Sequence, residues 1–373
     1  MSNQSWYTLS HPNQTDSPAL LVYPDRIHHN IREMIRIAGS PDRLVPHVKT
    51  HKMSEVIKMH LEAGIRRFKC ATIAEAEMLA TSGAKNILLA YQLNESKALR
   101  FIQLIKRFPL IQFASLVDNM DSAQMLQALF AENNLNATVY IDVDDGMHRT
   151  GMPVEKNIAG FYQQLAGMSH LHCAGLHVYD GHIRDQDFEQ RKIHCDNNFK
   201  PVMESAGKIL SLGFPKPEII AGGSPTFPIH ALNPEILCSP GTTVLWDRGD
   251  GDLLKDLPFL HAAVLLTRII SKPAEGRITT DLGHKSVAAE NPINKRIFFL
   301  NIDNYEVISE SEEHLVVEVS AEEWDRLKIG DVLYGVPYHV CPTVALYDEV
   351  QVIDNGDVIT QWNVEARKKK ISV

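Results

Sequence analysis

With 373 residues, 44% of them hydrophobic and 22% charged, the chain has material for a sizeable core and exceeds one small domain, which excludes a disordered or miniature scaffold. A formal net charge of -9 and a pI near 6.0 argue against nucleic acid or an anionic membrane as partner, since the whole molecule is repelled by both. Five scattered cysteines without a CxxC pair make no disulfide framework. The polar start, residues 1–18, lacks a basic segment followed by an apolar run, and no stretch reaches eighteen apolar residues. A reducing, cytoplasmic location is expected.

In chain order, a helical run over 27–38 leads into Val45-Pro46-His47-Val48-Lys49-Thr50-His51-Lys52. Lys49 ends a short apolar segment. A lysine there is either solvated or partly desolvated, and in the second case its neutral amine can attack an aldehyde to form a Schiff base. From 43 to about 246, short apolar runs alternate with longer amphipathic ones, the pattern of repeated βα units around a parallel sheet. Strands are expected at 44–48, 67–71, 86–90, 111–117, 138–143, 172–178, 218–221 and 236–239. Helices are expected between them, among them 73–82 and 121–132, the latter opened by Asp121 as cap.

Eight strands fit a (β/α)8 TIM-type barrel, whose active sites collect at the C-terminal strand ends and whose phosphate sites often follow strands seven and eight. Gly222-Gly223-Ser224 and Gly241-Thr242 stand at those two places, where backbone N–H groups and hydroxyls can approach an anion. Beyond residue 257 the texture becomes short β-rich runs punctuated by Gly, Pro and Asn355-Gly356, a hairpin signal. The expected pieces are a barrel over 16–257 and a mostly β domain over 258–373, with residues 1–15 as candidates to join the latter.

Three further groups carry chemical potential. His339 and Cys341 stand at i and i+2, on one face if the backbone is extended, and imidazole with thiolate suits Zn2+, with Mn2+ as the other candidate. Arg149, after the fifth expected strand, can hold an anionic oxygen, and Tyr179, after the sixth, can meet an aromatic group. His182 and Asp185 are candidates for acid-base work.

Together these residues make the chain resemble the D-threonine aldolase and D-serine dehydratase family, alanine racemase-like enzymes of fold-type III that use pyridoxal 5'-phosphate. The resemblance covers nearly the whole chain. It rests on residues 46–52, on 142–151 with Arg149, on 175–181 with Tyr179, on both glycine loops, on 281–286 and on 337–343. It implies that Lys49, next to His47, carries the cofactor, with the phosphate at Gly222, Gly223, Ser224, Gly241 and Thr242. Arg149 would face the ring's phenolic oxygen and Tyr179 the pyridine nitrogen, while His339 and Cys341 would hold the divalent metal. A homodimer with shared active sites is implied as well.

The activity implied is a lyase acting on β-hydroxy-D-amino acids, foremost an aldolase giving glycine and an aldehyde. The alternative is a dehydratase of D-serine or 3-hydroxy-D-aspartate, giving a 2-oxo acid and ammonia. Cys341 leans toward dehydration, because aldolases of the family often carry aspartate there. The aldolases' histidine base is displaced in this chain, with His182 as nearest substitute. An amino-acid racemase would use the same lysine but has no need of His339 and Cys341, and a cofactor carrier would bind without turnover.

Overall fold

The structure, a computed structural model, describes residues 5–373; residues 1–4, part of the polar start and of the 1–15 segment, lie outside the described residues. By contacts the chain divides into two units. One holds the chain up to Ile31, Thr50–Glu55 and Thr242–Arg367; the other holds Arg32–Lys49, Val56–Gly241 and Lys368–Val373. These limits differ from the expected pieces at both ends. The first strand, β1 (Ala19–Val22), lies in the first unit, and the tail after Arg367 belongs to the second, where the Ser372 and Val373 N–H groups donate to buried Glu77.

The second unit is a parallel sheet of β2 (Arg67–Cys70), β3 (Asn86–Gln92), β4 (Gln112–Val117), β5 (Ala137–Asp144), β7 (Leu171–Val178), β8 (Glu218–Ala221) and β9 (Ile236–Cys238), with β6 (Met152–Pro153) added to β5. Seven of the eight expected strands are there as regular strands. Residues 44–48 are the exception, forming only isolated parallel bridges, Leu44 to Cys238 and His47 to Lys69. Pro46 explains this, since it has no N–H to give to a ladder. The segment nevertheless lies between the last strand and the first. Val45 N–H donates to Cys238 O and Val48 N–H to Lys69 O, while Lys69 N–H donates back to Pro46 O. Val45, Leu88, Ala114, Leu116, Tyr140 and Ile220 pack together as a core of this unit.

The helices between the strands follow from their caps. Ile73–Thr81 starts where the Thr72 hydroxyl accepts the Glu75 N–H. The expected Asp121 cap is corrected to Asn119, whose side chain accepts the Ser122 N–H and opens Met120–Glu132. Asp121 instead sits in the first turn, where a carboxylate favours the helix dipole. The early helix begins three residues before the expected 27–38, at Pro24–Ala38, because Pro is well placed in a first turn.

The first unit is mostly β, as expected. Its strands are β1, β10 (Ala263–Ala274), β11 (Arg277–Thr280), β12 (Ile297–Phe299), β13 (Tyr305–Glu310), β14 (Leu315–Val319), β15 (Val332–Pro337), β16 (Glu349–Asp354) and β17 (Asp357–Asn363), in the order β13-β14-β11-β10-β1-β16-β17. β15 pairs β10 and β12 off this path. Asn355-Gly356 turns β16 into β17 with both residues at positive φ, as the hairpin signal requires. Leu21, Tyr23, Val264, Leu266, Tyr334, Val336 and Ile353 form a core there.

Candidate active site

At the C-terminal ends of the barrel strands, three cationic side chains converge on one ring. The Tyr179 centroid lies 5.7 Å from Lys49 Nζ, 5.7 Å from Lys69 Nζ and 4.8 Å from the Arg149 guanidinium carbon. Such a cluster is repulsive by itself and becomes favourable around an anion. Lys49 is half-buried at the end of the bridging segment, and its N–H lies 3.3 Å from His47 Nδ1, so the local turn is closed by the imidazole beside it.

Arg149 sits on a loop held by acidic strand ends. Asp144 accepts the Gly146 and His148 N–H groups, Asp118 accepts the Gly151 N–H, and Asp142 accepts the Thr150 hydroxyl. Asp142 also takes the Gln92 amide at 2.7 Å and His177 Nδ1 at 2.7 Å. The last contact follows from register, which places Asp142 of β5 opposite His177 of β7. Burial alone would raise Asp142, but the His177, Gln92 and Thr150 bonds outweigh it and hold the carboxyl below its ordinary range. Burial holds His177 down. The pair is therefore a carboxylate accepting N–H from a neutral imidazole.

The glycine loop after β8 is braced from beneath. Gly222 has φ +85°, a left-handed conformation in which a side chain is strained, and a Cβ there would also stand 2.8 Å from the His230 ring. A Cβ on Gly223 would come within 3.1 Å of the Tyr179 ring, so the loop keeps space beside that ring. Fully buried Asp180 accepts the Thr226 hydroxyl at 2.6 Å, the Gly223 N–H at 3.3 Å and His230 Nε2 at 2.6 Å. Gly241 N–H points to Ser224 Oγ at 3.4 Å, which brings the two expected anion loops together. Thr242 is the first residue of the other unit's Thr242–Arg367 segment, where its hydroxyl lies 4.0 Å from Cys341 Sγ.

Asp180, Cys195 and His230 are also the one grouping of three or more metal-capable side chains among the described residues. Their polar atoms serve a hydrogen-bond network that carries the loop. Removing Asp180 takes their carboxylate acceptor from the buried Thr226 hydroxyl and His230 ring, while the Gly223 N–H keeps Thr226 Oγ1 at 3.2 Å. Asp180→Ala should cost on the order of 3 kcal/mol of unfolding free energy, read from a urea melt at pH 7. A cost under about 0.5 kcal/mol would show that the brace is dispensable.

His182 and Asp185 are on the same loop but do not pair with each other. His182 Nε2 lies 3.0 Å from the Asn198 amide, its Nδ1 is buried without a partner, and burial lowers its pKa. Asp185 instead binds His194 Nδ1 at 2.9 Å, and the His194 ring stands edge-on to His182 with centroids 5.9 Å apart.

In the β unit, the expectation that His339 and Cys341 share an extended face is corrected. His339 is extended, but it caps the short helix Val340–Val344, which contains Cys341, so the two lie on different backbone conformations. Pro342, allowed in a helical first turn, fits that start. His339 Nδ1 is 2.5 Å from Glu290 Oε1, and Cys341 Sγ–H donates to Thr50 Oγ1 at 3.2 Å. A histidine held this way by a carboxylate presents its other nitrogen in a fixed direction, the usual arrangement behind a metal.

Sequence reasoning missed Lys69, Asp142, His177, Asp180 and His230. Alternation was the available signal, since Phe68 and Cys70 flank Lys69, and Gly175, His177 and Tyr179 recur at every second residue.

The fold and this cluster define a (β/α) barrel with a lysine-centred, cation-rich site, followed by a β domain. The alanine racemase N-terminal domain model matches residues 22–244, and the chain belongs to that family. A serine dehydratase domain model matches residues 262–353. The chain is 26% identical over 360 residues to the D-threonine aldolase of Arthrobacter sp, covering 95% of this chain and 93% of that protein. It is also 26% identical over 370 residues to the 3-hydroxy-D-aspartate aldolase of Paracoccus denitrificans, covering 96% and 93%. A dehydratase is among its relatives too, the D-threo-3-hydroxyaspartate dehydratase of Delftia sp., at 27% over 57% of this chain and 56% of that protein. The crystal structure of D-threonine aldolase from Filomicrobium marinum shares the fold, with a TM-score of 0.86 at 23% identity over 95% of this chain and 96% of that one.

Proposed function

We propose that this chain is a pyridoxal 5'-phosphate- and divalent-metal-dependent lyase of β-hydroxy-D-amino acids, and foremost an aldolase giving glycine and an aldehyde. The convergence of Lys49, Lys69 and Arg149 on Tyr179, beside a braced glycine loop, carries this reading. An anionic, aromatic, aldehyde-bearing group matches each part: an amine to take the aldehyde, cations for its charge, and glycine backbone for a phosphate. Nearly full-length relatedness to proteins named as aldolases supports the choice of reaction.

When bound, the cofactor supplies the electron sink for the bond broken at Cα. The chain supplies placement and proton handling. Lys49 Nζ is the amine that holds the cofactor, His47 closes its turn, and Gly222, Gly223, Ser224, Gly241 and Thr242 are the candidates to hold the phosphate. Arg149 and Tyr179 orient the ring. For an aldolase, a base must take the substrate's hydroxyl proton, and His182 is the candidate, with Asp185 acting only through His194. His339 and Cys341 would hold the metal, Zn2+ by ligand softness with Mn2+ as the other candidate, and it would act as a Lewis acid on the substrate's hydroxyl.

A dehydratase is the second reading, favoured by a thiol at position 341 and by a dehydratase among the relatives. There Lys49 Nζ takes the α-proton instead. By the same reading the protein works as a homodimer in the cytoplasm. No helix among the described residues is long and apolar enough to cross a membrane.

A product assay with pyridoxal 5'-phosphate and Mn2+ or Zn2+ separates the readings. Glycine and acetaldehyde from D-threonine, lost with EDTA, are expected. Pyruvate from D-serine without glycine from D-threonine would overturn the aldolase in favour of the dehydratase.

A further inference from the structure

Lys69 sits on β2 with 2% of its surface exposed, among the largest fully buried side chains of the chain. Lysine is almost never so buried unless paired with an opposite charge. Here its hydrogen-bonding partners are a hydroxyl and an imidazole. Nζ lies 2.6 Å from Ser239 Oγ and 3.5 Å from His177 Nε2. His177 gives its Nδ1–H to Asp142, which leaves Nε2 as an acceptor facing the amine. Ser239 in turn donates to Gly222 O at 2.8 Å. A continuous chain thus runs from the Asp142 carboxylate through His177, Lys69 and Ser239 to the backbone of the glycine loop, with Lys69 at its centre and 5.7 Å from the Tyr179 ring.

We propose that Lys69 is a second working amine of this site, a positioning residue that sets the charge beside the Tyr179 ring and fixes the glycine loop through Ser239. The proposal rests on the cofactor reading above. The groups that face the amine agree with a changeable charge. Burial, then Lys49, push its pKa down to about 7, with Arg149 acting the same way; Asp180 and Asp142 oppose them. Near neutral pH the site can therefore gain or lose one positive charge without moving a side chain. As a cation, Lys69 can only donate, which fixes the direction of both its hydrogen bonds. The neutral amine can also accept, and the Ser239 hydroxyl is then free to leave the Gly222 carbonyl. Loop order and site charge are linked through one proton.

The sign for stability follows. A lysine depressed from about 10.5 to about 7 on folding costs the most below pH 7, and the cost vanishes as pH rises through 10.5. Lys69→Met should therefore melt at a higher temperature than wild type at pH 7, with the difference shrinking toward pH 10.

The test uses the full chain loaded with pyridoxal 5'-phosphate. The visible absorption band is followed from about pH 6 to 9 in wild type, Lys69→Met and Lys69→Arg, a window centred on the depressed lysine. In parallel, 13Cε-lysine NMR reads the amine itself, assigned by difference against Lys69→Met. A spectral transition near pH 7 in wild type, absent in both variants because one is never charged and the other always is, is the expected result. A Lys69 resonance titrating at the ordinary lysine value, or identical spectral profiles in all three proteins, overturns the proposal. Absence of any visible band in wild type overturns the cofactor reading instead, and the NMR titration then still decides whether Lys69 is a depressed amine.

Discussion

Lys49→Ala and Lys49→Arg are both expected to lower turnover by at least about 10³-fold and to abolish the visible band of protein supplied with pyridoxal 5'-phosphate. The two substitutions separate chemistry from charge. Arginine keeps the positive charge beside Tyr179 and so preserves the electrostatics of the cluster, but its guanidinium cannot be deprotonated in a protein and cannot serve as the attacking amine. Alanine removes both. Because Lys49 is only half-buried and ends an irregular segment, neither change creates a large cavity, and the melting temperature should stay within a few degrees of wild type. A folded Lys49→Arg protein that retains the visible band would remove Lys49 from the role of cofactor anchor, and Lys69 would be the next amine to test.

Much of the barrel was legible because a parallel barrel writes itself as short apolar runs between amphipathic helices, and seven expected strands lie within one or two residues of the observed ones. The segment carrying Lys49 was legible as an apolar run but not as a set of two bridges, because its backbone partners, Cys238 and Lys69, are set by closure of the sheet. Lys69 was hidden for the converse reason. One lysine between Phe68 and Cys70 looks like a solvent-facing break in a strand, and only the ring of neighbours turns that face inward. The Asp142–His177 pair depends on strand register across 35 residues, which no local pattern encodes. In the β unit, β1 is four buried residues bonded to strands more than two hundred positions away, too short and too distant to read from the sequence. The His339 and Cys341 pairing was drawn for an extended chain, and the helix that starts at Val340 puts the two residues on different backbone conformations.

By the proposed metal role, His339→Ala and Cys341→Ala should each lower divalent-metal content and turnover, the latter by at least about 10²-fold, with metal content read by elemental analysis of the purified protein. Glu290 makes this a sharper experiment than ligand removal alone. Its carboxylate holds His339 Nδ1, so it should fix the ring's orientation without meeting the metal. Glu290→Gln should weaken metal binding roughly 10–100-fold, as measured by calorimetric titration with Zn2+, while turnover at saturating metal stays near the wild-type value. That split between affinity and maximal rate is what an orienting carboxylate produces and a merely exposed ion pair does not, since the latter contributes little. The result also bears on reaction class, because a racemase has no use for a metal at these residues. Wild-type protein that retains no metal and keeps full activity in EDTA would remove the Lewis acid from the mechanism and leave Lys49, with the groups around Tyr179, to account for the chemistry alone.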